Sequence, residues 1–137
     1  MFQGVSLGGV WAFDACSGGW RSYVPGRPGN SLTNVPAGAG LYVDAAVAGR
    51  LTIAGLLPTT TAIPVCAGWN LVGFPSVSAS ITAADARRDL GAIEVLAADP
   101  GAPPGLMAVA DAARLFVPTQ AFWIRIPAST TWTVPGR

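Results

Sequence analysis

The chain has 137 residues, enough for one compact domain or two very small ones; half of them are apolar and only 11% are charged. Its net charge is +1, carried by scattered arginines, so the concentrated basic stripe that nucleic acid requires is absent. With no Lys and no His, it lacks the Schiff-base amine, the commonest general base and the commonest metal ligand.

Residues Met1 to Gly4 lack the basic start and apolar core of a signal peptide. Val10 to Asp14 predict the first strand. Turn pairs then crowd the chain: Gly18-Gly19, Pro25-Gly26 and Pro28-Gly29 make a Gly/Pro-rich loop of the segment that carries Trp20, Arg21 and Tyr23. A strand is predicted over 40–45, where Leu41, Val43 and Ala45 alternate with Tyr42 and Asp44; the first set is expected to face the core. Another is predicted over 50–54. No charge occurs between Leu51 and Ala84, but Pro58, Pro64, Pro75 and Asn70 interrupt that stretch. It therefore holds no apolar helix of membrane-spanning length and belongs in a fold interior.

Strands follow over 63–66 and 69–74. Thr82-Ala83-Ala84-Asp85 then reads as a capping box, and Gly91 as a left-handed stop, for a helix over 82–90. Strands are predicted over 93–97, 121–126 and 131–134, with a turn or two of helix at 109–115. In the strand over 121–126, Phe122, Ile124 and Ile126 are expected inside. Turn residues recur every eight to twelve positions. The fold class is therefore mostly β, a sandwich or barrel with one short helix near 82–90.

Internal similarity organises this pattern. Leu41-Tyr42-Val43 matches Phe122-Trp123-Ile124, and Leu51 to Gly55 matches Trp132 to Gly136, both at an offset of 81 residues. With small insertions, Val10 to Asp14 matches Val95 to Asp99, and Val35-Pro36 matches Val117-Pro118. The chain reads as a single β-rich domain, 1–137, built from two unequal copies of a unit of roughly 80 residues. Copy one covers about 5–57 and copy two about 63–137; only the second opens with 63–74 and the helix. The strand over 69–74 is expected to be shared by both copies rather than to leave a gap for a neighbouring chain.

Cys16 and Cys66 are the only cysteines. Without His they cannot build the usual zinc site, and they read either as buried free thiols or as a disulfide.

Ala67 to Ser76, AGWNLVGFPS, resembles the "GWNLVGYPS"-type module repeated in large secreted or surface proteins of Chloroflexi and related environmental bacteria. In that module a helix, an aromatic-rich strand ending in Asp, an aromatic-Pro loop and a "PGxGYWV" strand follow. Val10 to Asp14, Trp20 to Pro25 and Ala39 to Val43 are similar to its later part, and Ala121 to Ile124 to its last strand. Copy two departs from the pattern at Pro100 to Leu106, where the aromatic loop is Pro-Gly-Ala rich. The resemblance implies an extracellular or cell-surface location and no catalytic activity. It also implies an oxidising compartment, and with it a bridge between Cys16 and Cys66.

The residues themselves offer little chemistry. Asp85 and Asp89 lie one helical turn apart beside Arg87 and Arg88, as on a solvated helix face, and Asp14 and Asp99 sit at equivalent strand ends where a carboxylate caps a turn. Serine nucleophiles have no His base. Gly26 to Ser31 lacks the Lys of a phosphate loop, and no acidic loop dense enough for calcium occurs. No catalytic residue, metal site or cofactor is predicted. Trp11, Phe13, Tyr42, Trp69, Phe74, Phe122, Trp123 and Trp132 lie on predicted strands and suit core packing. Trp20 and Tyr23, flanking Arg21, could instead stack on a sugar; the alternative is Trp20 folded back as a lid. The sequence thus points to a non-catalytic structural or adhesion module, whose partners are other modules of one parent protein or copies of itself. A carbohydrate-binding module and a self-assembling filament or lattice subunit are the alternatives.

Overall fold

The computed structural model describes residues 6–50, 56–99, 101–103 and 106–136. Along them run strands β1 (Leu7–Asp14), β2 (Gly19–Tyr23), β3 (Leu41–Ala45), β4 (Thr60–Val65) and β5 (Gly68–Gly73), then helix α1 (Ala83–Leu90). Strands β6 (Glu94–Ala98), β7 (Met107–Val109), β8 (Ala121–Ile126) and β9 (Thr130–Pro135) follow. They pair in three antiparallel sheets, ordered β2-β1-β3, β4-β9 and β5-β8-β6-β7. The architecture is mostly β and compatible with a sandwich.

The main core follows from alternation on β8. Phe122, Ile124 and Ile126 point inward and are buried, while Trp123 and Arg125 take the other face. Ile63 and Val65 of β4 and Trp132 and Val134 of β9 cover them, with Ala83, Ala86 and Leu90 of α1 alongside. Each large side chain so buried contributes roughly 1.5–3 kcal/mol. The helix has the predicted ends: Thr82 Oγ1 accepts from Asp85 N at 3.2 Å, Asp85 Oδ2 accepts from Thr82 N at 2.9 Å, and Gly91 closes it at φ 63°.

Residues 109–115 do not form the expected helical turns. The carbonyls of Ala112 and Arg114 accept from Ala84 and Ala83, and Phe116 N donates to Ile81 O. That backbone serves the orphan donors of α1 instead of a ladder of its own. The Trp20–Tyr23 segment is strand β2 rather than loop. Asn30 makes the turn beyond it, accepting from Val24 N at 2.8 Å and donating to the carbonyls of Val24 and Arg27.

The two matched stretches share one arrangement. β1 lies between β2 and β3 as β6 lies between β7 and β8. Val10 faces Val43 and Trp11 faces Tyr42; their counterparts Val95 and Leu96 face Ile124 and Trp123. On the other side, Trp11 opposite Ser22 and Ala12 opposite Arg21 correspond to Leu96 opposite Val109 and Ala97 opposite Ala108. A one-residue slip in either unit would reverse its faces. The ends match as well: Asp14 Oδ1 accepts from Cys16 N and Ser17 N, and Asp99 Oδ1 from Gly101 N. Both are turn caps, as their position predicts.

The units differ at their outer edges. β5 pairs with β8 along its whole length but its pairing with the first unit is the single Ala39–Val72 bridge. Gly40 N donates to Leu71 O at 3.2 Å and Gly73 N to Gly38 O at 2.9 Å. Gly40 and Gly73 permit this approach: a Cβ on Gly40 would lie 2.8 Å from Leu71 Cγ, and one on Gly73 2.7 Å from the Ala39 carbonyl oxygen. β5 is thus shared, but over a short stretch. Among the described residues no strand lies beyond β3.

Of the three β3 residues expected in the core of copy one, two are therefore exposed. Val43 is 49% exposed and Ala45 is exposed, whereas Leu41 is half-buried against a small cluster of Val10, Ala12 and Leu32. β3 is an edge strand, and no described layer plays for it the part that β4 and β9 play for β8. Leu51, Ile53 and most of the strand predicted over 50–54 lie outside the described residues; Arg50 has no regular structure.

Candidate binding surface

Strand alternation decides what Trp20, Arg21 and Tyr23 can do. Trp20 and Tyr23 are three positions apart on β2 and so project from opposite faces. Tyr23 packs on the small cluster of Val10 and Ala12. Arg21 shares its face and pairs with Asp14 at 2.7 Å. Trp20 and Tyr23 therefore do not form one stacking surface beside Arg21.

Trp20 has other company. Its ring centroid lies 5.3 Å from Phe13, 5.9 Å from Tyr42 and 5.9 Å from Trp123, each tilted or edge-on. Phe13 and Trp69 also contact Trp123, whose Nε1 donates to Tyr42 Oη at 2.9 Å. Tyr42 and Trp123 are equivalent positions of the two units, so the repeat brings its own matched residues into contact. The Arg125 guanidinium lies 5.7 Å from the Trp69 ring and reaches Glu94 at 3.4 Å. Trp20 stays 51% exposed at the margin of this cluster, neither a lid over the main core nor a free platform.

Of the strand aromatics assigned to the core, Phe74, Phe122 and Trp132 are there. Phe13, Tyr42, Trp69 and Trp123 instead make this second, half-buried cluster. The signal was the alternation on β8: if Phe122 and Ile124 face the core, Trp123 cannot.

Cys16 and Cys66 are bonded, with Cα atoms 5.3 Å apart. The bridge joins the β1–β2 turn of the first unit to the β4–β5 turn of the second. Asn70 holds the latter turn, accepting from Cys66 N at 2.9 Å and donating to the carbonyls of Cys66 and Gly68. Beside the bridge a groove of about 250 Å³ runs between the units, with Ala12, Leu32, Ile63 and Val72 on its walls. Of its polar side chains, Asp14, Arg21 and Asn70 are engaged with one another or with their own turns, and Asn34 also lines it.

Several acids serve structure. Hydrogen bonds, first from the Ser17 backbone and then from Arg21, hold the Asp14 carboxyl below the usual range. The Thr82 backbone N–H and hydroxyl do the same for Asp85. Asp89 chiefly, with Asp85, raises the Arg88 guanidinium, and Asp111 accepts from Ala113 N. Among the described residues no group of His, Cys, Asp or Glu is arranged to hold a metal ion, and no helix is long and apolar enough to cross a membrane. Compared with known proteins, the chain matches no family model, no curated protein and no solved structure.

Proposed function

We propose that this chain is a non-catalytic extracellular module of a bacterial surface protein, serving structure or adhesion and joined to further modules of its parent or to copies of itself. The observation that carries the reading is the Cys16–Cys66 bridge between the two units, a bond that persists in oxidising compartments and is rare in reducing ones. The engagement of Asp14, Asp85, Glu94 and Asp99 in turns, caps and ion pairs supports a scaffold over an active site. Protease treatment of intact producing cells tests it. Peptides of this chain should be released before any cytoplasmic marker; release only after lysis would refute the location.

A second reading, carbohydrate binding, is favoured by Trp20, half-exposed beside Phe13, Tyr42 and Trp123. In this version the sugar lies along the margin of the aromatic cluster, not between Trp20 and Tyr23. Trp20→Ala should then abolish retention on a glycan array while lowering the melting temperature by only a few degrees. Retention undiminished by the substitution would remove Trp20 from any sugar site.

A further inference from the structure

We infer that the outer edge of β3 is a strand-acceptor site, taking an extended antiparallel segment of the Gly68–Gly73 type from another copy of the unit. The second unit displays the occupied form of the same edge. There β8 receives β5, with Val72, Leu71 and Asn70 opposite Phe122, Trp123 and Ile124. Leu41, Tyr42 and Val43 are the counterparts of those three β8 residues, and Tyr42 and Val43 keep against β1 the register that Trp123 and Ile124 keep against β6. A donor strand in the matching register sets its Val, Leu and Asn opposite them.

Three further observations agree. The chain's own β5 hydrogen-bonds that side at Gly38 and Gly40, around the Ala39–Val72 bridge, and forms no ladder with β3, so the unpaired backbone begins at Leu41. Val43, which lacks the layer that covers its counterpart Ile124, is 49% exposed and offers a donor strand an apolar side chain to pack against. β3 also carries neither Lys nor Pro in its sequence, LYVDA, and its one charge, Asp44, lies beyond the Leu41–Val43 stretch. The donor pattern GWNLVG is uncharged and meets no repulsion. Main-chain hydrogen bonds supply the attraction, and the alternating side chains fix the register.

The inference rests on the matched registers and not on where the protein works, so its failure would leave the extracellular reading standing. The test is titration of the isotope-labelled full chain, disulfide intact, with a synthetic peptide of residues 67–76, followed by NMR and amide exchange. Saturable shifts and slowed exchange are expected across Leu41–Ala45, with none for a scrambled peptide. Val43→Lys should weaken binding roughly tenfold or more by placing a charge on the edge, with its melting temperature close to that of the parent chain. Protection at Ala121–Ile126 instead would mean that the peptide only replaces β5. That outcome, no protection anywhere, or equal binding by the Val43→Lys chain would overturn the inference.

Discussion

Thr82 and Asp85 each satisfy the other's backbone N–H at the start of α1, and Asp14 and Asp99 do similar work at two strand ends. Such contacts span two or three residues, which is why they were legible in the sequence. Thr82→Ala should lower stability by about 1 kcal/mol, measured by urea denaturation; an unchanged midpoint would mean that the cap is idle. The carboxyls of Asp14 and Asp85 are depressed in the folded chain, first by the Ser17 and Thr82 backbone N–H groups respectively. Their stabilisation is therefore fully present above the unfolded carboxylate value of about 3.9 and is lost as pH falls through the lower folded values. The melting temperature should drop below about pH 4, and the double variant Asp14→Asn, Asp85→Asn should start lower and fall less steeply over that range. Parallel curves for the two proteins would contradict this. Trp20 and Tyr23 were misread because Gly18, Gly19 and Pro25 advertise a loop, while pairing with β1 makes a strand of the residues between them.

At the scale of elements, equal patterns have unequal environments. Leu41-Tyr42-Val43 and Phe122-Trp123-Ile124 alternate identically, yet Ile124 is fully buried and Val43 is 49% exposed. Periodicity tells which residues share a face; the layer that covers the face comes from β4, β9 and α1, elements distant in sequence. Ile124→Ala should therefore cost about 2–5 kcal/mol, and Val43→Ala no more than about 0.5 kcal/mol. Denaturant titration of the two variants checks the contrast, and similar losses would refute the asymmetry. The same dependence on distant partners explains the segment 109–115. Its Ala-rich sequence suits a helix, but its carbonyls are taken by α1.

Across the whole molecule, the units meet through the β5 bridge, the aromatic contacts and one covalent link. Cys16 and Cys66 are separated by 50 positions, so in the chain-entropy account the bridge stabilises the fold by about 4 kcal/mol. Replacing both cysteines by Ala should remove a stability of that order, read by denaturation of oxidised and variant chains; indistinguishable midpoints would show that the bridge closes nothing the fold needs. Composition and turn spacing made the β class legible, and internal similarity the equivalence of the two registers. The bridge followed only from the family resemblance, since spacing alone says nothing of which side chains meet across two units. The proposal of an extracellular module rests most heavily on that bond. The direct test is to isolate the chain from its own producing cells, trap free thiols by alkylation, and digest with trypsin without reduction. Cleavage after Arg21, Arg50 and Arg87 places the two cysteines in separate peptides. The account predicts one disulfide-linked pair joining Cys16 to Cys66, with neither thiol alkylated; both peptides recovered separately and fully alkylated would contradict it.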